Sequence, residues 1–150
     1  MQIEQQLSEI QNVVDDVLKL ALKNGATQAE ASMSKVEGIA VSSRMQEVEN
    51  VEFTNDGGLG ISVYVGKRKG SASTADLSKE ALTRAVEKAV DIAKYTSEDP
   101  CTGLADAELM ATEFPDLDLD HPQELDTEKA IATTIEAESA ALGYDPRITN

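Results

Sequence analysis

The side chains able to do chemistry are few and scattered. His121 is the only histidine and Cys101 the only cysteine. A serine or cysteine nucleophile needs a positioned base, most often His, and nothing in the spacing sets His121 beside Cys101. Zinc is held mainly by His and Cys, and neither an H-x-x-x-H nor a C-x-x-C spacing occurs. Asp116-Leu117-Asp118-Leu119-Asp120 opens like a calcium loop. An EF-hand then requires Gly at position six and Glu at position twelve, where this chain has His121 and Thr127. Leu117 and Leu119 alternate with the carboxylates, so a short edge strand is the better expectation there. Gly57-Gly58-Leu59-Gly60 leads into a strand pattern, whereas a phosphate cradle leads into a helix N-terminus. Lys67-Arg68-Lys69 is the one basic cluster, placed at an expected hairpin tip. It reads as a solvated turn or a contact for an acidic partner.

Composition narrows the classes further. The chain has 150 residues and a formal charge of −15, from 13 Lys plus Arg against 28 Asp plus Glu. So acidic a body repels a phosphate backbone, and the five aromatic residues, three Tyr and two Phe, offer no stacking platform. No nucleic-acid partner is expected. One thiol permits no internal disulfide. The N-terminus has neither the basic nor the continuous apolar region of a signal peptide. No apolar run approaches the ~20 residues that span a bilayer, so no membrane partner is expected. A cytoplasmic location follows as the expectation.

The elements that must position these residues are legible from periodicity. Ile3, Leu7, Ile10, Val14, Val17 and Ala21 step by three and four, the spacing of one helical face, and Asn24-Gly25 supplies the stop. From Ala29 the period becomes two. Ala29, Ala31 and Met33 alternate with Glu30, Ser32 and Ser34. Further strands are expected around Ile39–Val41, Val48–Phe53, Leu59–Val65 and Gly70–Thr74, separated by turns at Glu37-Gly38, Asn55–Gly58 and Gly66–Arg68. Short turns demand antiparallel pairing. A second helix follows, with Ser78 as N-cap and Leu82, Ala85, Val86, Ala89 and Ala93 as its buried face.

Beyond residue 97 the character changes. Between Glu98 and Glu138 stand 13 acidic residues and one basic residue, Lys129, punctuated by Pro100, Pro115 and Pro122. A last helix begins near Asp126 and runs to Gly143, with a thin apolar face. Tyr144–Asn150 reads as the start of another extended segment, as in a piece of a longer protein. The expected fold class is α+β: an antiparallel meander of about five strands with two main helices on one face, plus an acidic linker and a third, C-terminal helix. The expected domains are an α+β body at 1–97, the linker at 98–125, and at 126–150 the helix and the start of a further domain.

The strand region carries a family resemblance. Val41-Ser42-Ser43-Arg44, Glu47–Phe53 and Asp56-Gly57-Gly58-Leu59-Gly60-Ile61-Ser62-Val63-Tyr64 resemble the N-terminal domain of the TldD/PmbA family. Arg68–Thr74, Tyr95–Cys101, Asp116–Leu119 and Arg147–Asn150 resemble its PmbA (TldE) branch. The resemblance implies a non-catalytic N-terminal domain of a subunit that pairs with a TldD subunit in a zinc metallopeptidase. Its substrates would be unfolded peptides, and the name "modulator of DNA gyrase" attached to the branch requires no DNA binding. The zinc motif of TldD, a histidine pair on a helix with a distant cysteine, belongs to a C-terminal domain and has no counterpart here. No catalytic or metal-ligating residue is therefore carried over, and zinc is expected only in the TldD partner. Whether this chain is itself an enzyme is left open. The resemblance further implies a domain that helps wall a chamber admitting unfolded chains. Ser62, Tyr64, Lys67, Arg68, Lys69, Ser71 and Ser73 are then the candidate contacts with peptide or partner. The alternative is a stand-alone acidic α+β interaction module with no peptidase association.

Overall fold

A computed structural model of the chain describes residues 3–121 and 126–149. Pro122 and the end of the expected linker lie outside the described residues, as does Asn150. The elements run α1 (Ile3–Lys23), β1 (Gln28–Arg44), β2 (Glu47–Val65), β3 (Arg68–Thr74), α2 (Lys79–Tyr95), a short 3₁₀ turn (Ala107–Leu109) and α3 (Thr127–Tyr144). The fold is α+β, with one sheet in the order β1-β2-β3. The expected strand count of about five is corrected to three. The first two expected strands are one continuous β1, and the next two are one continuous β2. Neither Glu37-Gly38 nor Asn55–Gly58 turns the chain, because both stretches adopt extended backbone within these long strands.

The chain divides into two compact units. The first comprises Met1–Ser34 and Gly57–Asp120. Its core is aliphatic and small: Val17 and Ala21 from α1, Leu59, Ile61 and Val63 from β2, and Val86, Ala89, Val90 and Ala93 from α2. The alternation of Leu59, Ile61 and Val63 sends these side chains to the helical face of the sheet, as period two requires. Alanines on α2 let the helix lie close to β3. β2 and β3 are antiparallel, with Val63 opposite Gly70 and Val65 opposite Arg68 across a turn at Gly66-Lys67. Gly66 takes a left-handed φ of 62° there. Thr27 ties the start of β1 to this turn. Its N–H and hydroxyl both donate to the Tyr64 carbonyl, at 2.7 and 2.9 Å, and its oxygen accepts from Gly66 N–H.

The second unit comprises Lys35–Asp56 and His121–Asn150. It holds the far part of the β1–β2 ribbon and α3. The ribbon turns at Met45-Gln46, both left-handed, with φ of 56° and 66°. Two successive left-handed residues are the mark of a type I′ hairpin, usually an Asn-Gly pair. Here the Glu138 carboxylate of α3 accepts both turn N–H groups, from Met45 at 2.7 Å and Gln46 at 3.0 Å. α3 starts on the Asp126 side chain, which accepts from Glu128 N–H. It carries a half-buried stripe at Ala130, Ile131, Thr134, Ile135, Glu138 and Leu142. After it, Arg147 folds onto the Asp145 carboxylate in a turn, where an extended segment was expected.

Candidate functional site

The residues of β2 that do not enter the core define the other face of the sheet. In register, Gly60 faces Ser73, Ser62 faces Ser71 and Tyr64 faces Lys69. The Ser62 and Ser71 hydroxyls are 3.0 Å apart and share a hydrogen bond. β1 adds Glu30, Ser32 and Ser34. Two shallow depressions follow this face. One, about 310 Å³, is lined by Glu30, Ser32, Gly60, Ser62 and Ser71. The other, about 380 Å³, is lined by Ser32, Ser34, Gly60, Ser73 and Thr74. Gly60 lies in the floor of both, where a Cβ would make ordinary van der Waals contact with Ser32 Oγ at 3.7 Å.

A small polar network closes one end. Tyr64 is 4% exposed, and its hydroxyl donates to Glu30 Oε1 at 3.1 Å. The Lys69 ammonium sits 5.4 Å from the centre of the Tyr64 ring, within cation–π range, and 3.5 Å from Glu30. Tyr64 first, then Glu30, holds Lys69 above the ordinary lysine pKa. The network orders two side chains, Glu30 and Lys69, around the buried Tyr64 ring.

Of the seven expected contact residues, Ser62, Tyr64, Lys69, Ser71 and Ser73 share this face. Lys67 and Arg68 do not join it. Lys67 donates to the Thr102 carbonyl at 3.1 Å, and Asp99 N–H donates to the Lys67 carbonyl, stitching the acidic segment to the β2–β3 turn. Arg68 lies on the helical side. It donates to the Lys94 carbonyl at the C-terminal end of α2 and pairs with Glu98 at 3.2 Å. A cation suits the negative end of a helix. The basic cluster is thus engaged within the chain. Glu30, Ser32, Ser34 and Gly60 complete the face and were absent from the expected set. For Glu30, Ser32 and Ser34 the sequence showed the alternation along β1 but not the strand pairing that brings it to this face, and Gly60 carried no polar signal.

The arrangement offers hydroxyls, each able to donate once and accept twice. Among the described residues the hydrogen bond that Ser62 and Ser71 make is to each other, and no base bonds either hydroxyl. The remaining candidates are dispersed. Cys101 is an exposed free thiol whose N–H donates to Asp99. Asp116–Asp120 does not form the expected edge strand. Asp118 has φ of 50°, and its N–H turns back onto Asp116 Oδ1 at 2.9 Å, which breaks extended pairing. Among the described residues no three His, Cys, Asp or Glu side chains form a group that could hold a metal ion.

Comparisons with known proteins agree on the kind of domain. Residues 29–93 match the family model of PmbA/TldA metallopeptidase domain 1. The chain is 54% identical over 148 residues to the metalloprotease PmbA homolog of Haemophilus influenzae, covering 99% of this chain and 33% of that protein. It is 52% identical over 149 residues to metalloprotease PmbA of Escherichia coli O157:H7, with the same coverage. The chain therefore spans about a third of the length of the curated relatives it matches. Two solved structures share the fold. A candidate modulator of DNA gyrase from Bacteroides thetaiotaomicron superposes with a TM-score of 0.76 at 24% identity, over 93% of this chain and 32% of that one. TldE from Thermococcus kodakarensis gives 0.69 at 18% identity, over 89% and 30%.

Proposed function

The chain belongs to the PmbA/TldD family, with a metallopeptidase domain 1 at residues 29–93, and from that membership we propose that it is a non-catalytic, peptide-guiding N-terminal domain. In this reading it forms part of a PmbA (TldE)-type subunit that pairs with a TldD subunit. Its open sheet face lines the passage by which unfolded peptides reach the catalytic zinc. The serine-lined face carries the proposal. An unfolded peptide presents backbone N–H and C=O groups at every residue, and rotatable hydroxyls satisfy either kind without selecting side chains. A polar lining also avoids the sticky patch that an apolar wall would present.

The reading assigns the metal, and with it the hydrolytic step, to the TldD partner. Among the described residues no helix is long and apolar enough to cross a membrane. The reading puts the complex in the cytoplasm.

The test is reconstitution. The full-length subunit, the TldD-type partner and both together are assayed on an unfolded peptide, with and without a chelator. Hydrolysis is expected only from the pair and only without chelator. Chelator-resistant hydrolysis by this subunit alone overturns the proposal. Salt-sensitive capture of a basic protein, with no association with the partner, would instead support the stand-alone module.

A further inference from the structure

The groove between α1 and α2 inverts the charge of the molecule around it. Its floor is apolar, formed by Val17, Leu20, Leu77 and Leu82, and it encloses about 570 Å³. Its rim carries Lys19, Lys23 and Lys79 against a single acid, Asp16. Lys19 shares Asp16 at 3.8 Å, while Lys23 and Lys79 make no ion pair among the described residues. In a chain of charge −15 this rim is a local cationic ring. Apolar walls under cations fit apolar side chains flanked by carboxylates.

The same chain presents such a segment. Glu113-Phe114-Pro115-Asp116-Leu117-Asp118-Leu119 alternates acids with large apolar residues. Phe114, Leu117 and Leu119 are 82%, 66% and 81% exposed. Pro115 fixes its own φ and holds Phe114 extended, which lowers the entropy lost on docking. No residue of this segment lines the groove of its own copy. We propose that the α1–α2 groove receives the 113–119 segment of a second copy of this chain, the two copies exchanging segments reciprocally. Phe114 and Leu117 enter the apolar floor, while Glu113 and Asp116 meet Lys23 and Lys79. Reciprocal exchange about a two-fold axis satisfies both grooves and leaves no open end to propagate. The proposal does not depend on the peptide-guiding reading.

A charge swap tests it with the full 150-residue chain, by sedimentation equilibrium over a concentration series. One variant is Lys23→Glu with Lys79→Glu, the other Glu113→Lys with Asp116→Lys. All four positions are exposed, and circular dichroism checks that each variant is folded. The unaltered chain is expected to dimerise as concentration rises. Each variant alone places like charges at both contacts and should dimerise at least about tenfold more weakly. An equimolar mixture restores opposite charges at both contacts and should recover dimerisation. A chain that stays monomeric at every concentration overturns the proposal. So does dimerisation that both variants leave unchanged, or a mixture no tighter than its components.

Discussion

Gly70 faces Ala89 across the β3–α2 contact with no room for a methyl group. A Cβ on Gly70 would fall 2.1 Å from the Ala89 carbonyl oxygen and 2.4 Å from Ala93 N. The obstruction is helix backbone, which cannot rotate aside. Gly70→Ala must therefore lift α2 from the sheet that it helps to support. The expected loss is at or above the ~3 kcal/mol upper end of ordinary overpacking, read as a lower denaturation midpoint in urea. Unchanged stability would mean that α2 lies farther from β3.

Tyr64 anchors one end of the open sheet face through Glu30 and Lys69. Tyr64→Phe keeps the ring under Lys69 but removes the hydroxyl that donates to Glu30. A loss of about 1 kcal/mol is expected in urea denaturation. Glu30→Gln retains an acceptor for that hydroxyl and should cost less. The opposite order would show that the Lys69–Glu30 attraction dominates the network.

Much of this architecture was legible in the residues. α1 ends at Lys23 before Gly25, whose φ of 98° is the left-handed stop that the Asn24-Gly25 pair announced. α2 begins after Ser78 and ends at Tyr95, as its capping and apolar stripe indicated. The ribbon was misread because turn chemistry is local while this turn is held from afar. Asn55–Gly58 has the composition of a turn yet continues a strand. Met45-Gln46 has no turn preference, and the Glu138 carboxylate, more than ninety residues along the chain, holds it. The serine face was half legible: alternation indicated it on β2 and β3, but only pairing showed that β1 supplies Glu30 and Ser32.

That Glu138 contact carries a pH signature. Desolvation pushes the carboxyl pKa up, but the Ser43 hydroxyl and the Gln46 and Met45 N–H groups outweigh it, leaving the pKa below its ordinary 4.5. A pKa depressed by folding contributes stability above the unfolded value, and that contribution is lost as pH falls through the folded value. The Met45 and Gln46 amide proton shifts should therefore titrate together, with a midpoint below 4.5. Glu138→Gln should abolish that titration. Shifts that stay flat in the unaltered chain would contradict the contact.

Contact between the serine face and a peptide in transit is the most direct test of the peptide-guiding role. A photo-reactive benzophenone side chain is placed at Ser71 or at Arg84 in the full-length subunit, which is assembled with its TldD-type partner. Ser71 lies on the open sheet face, and Arg84 is exposed on α2. Illumination in the presence of an unfolded peptide should cross-link peptide at Ser71 and not at Arg84. Peptide captured at Arg84, or at neither position while the complex hydrolyses the same peptide, would contradict the account.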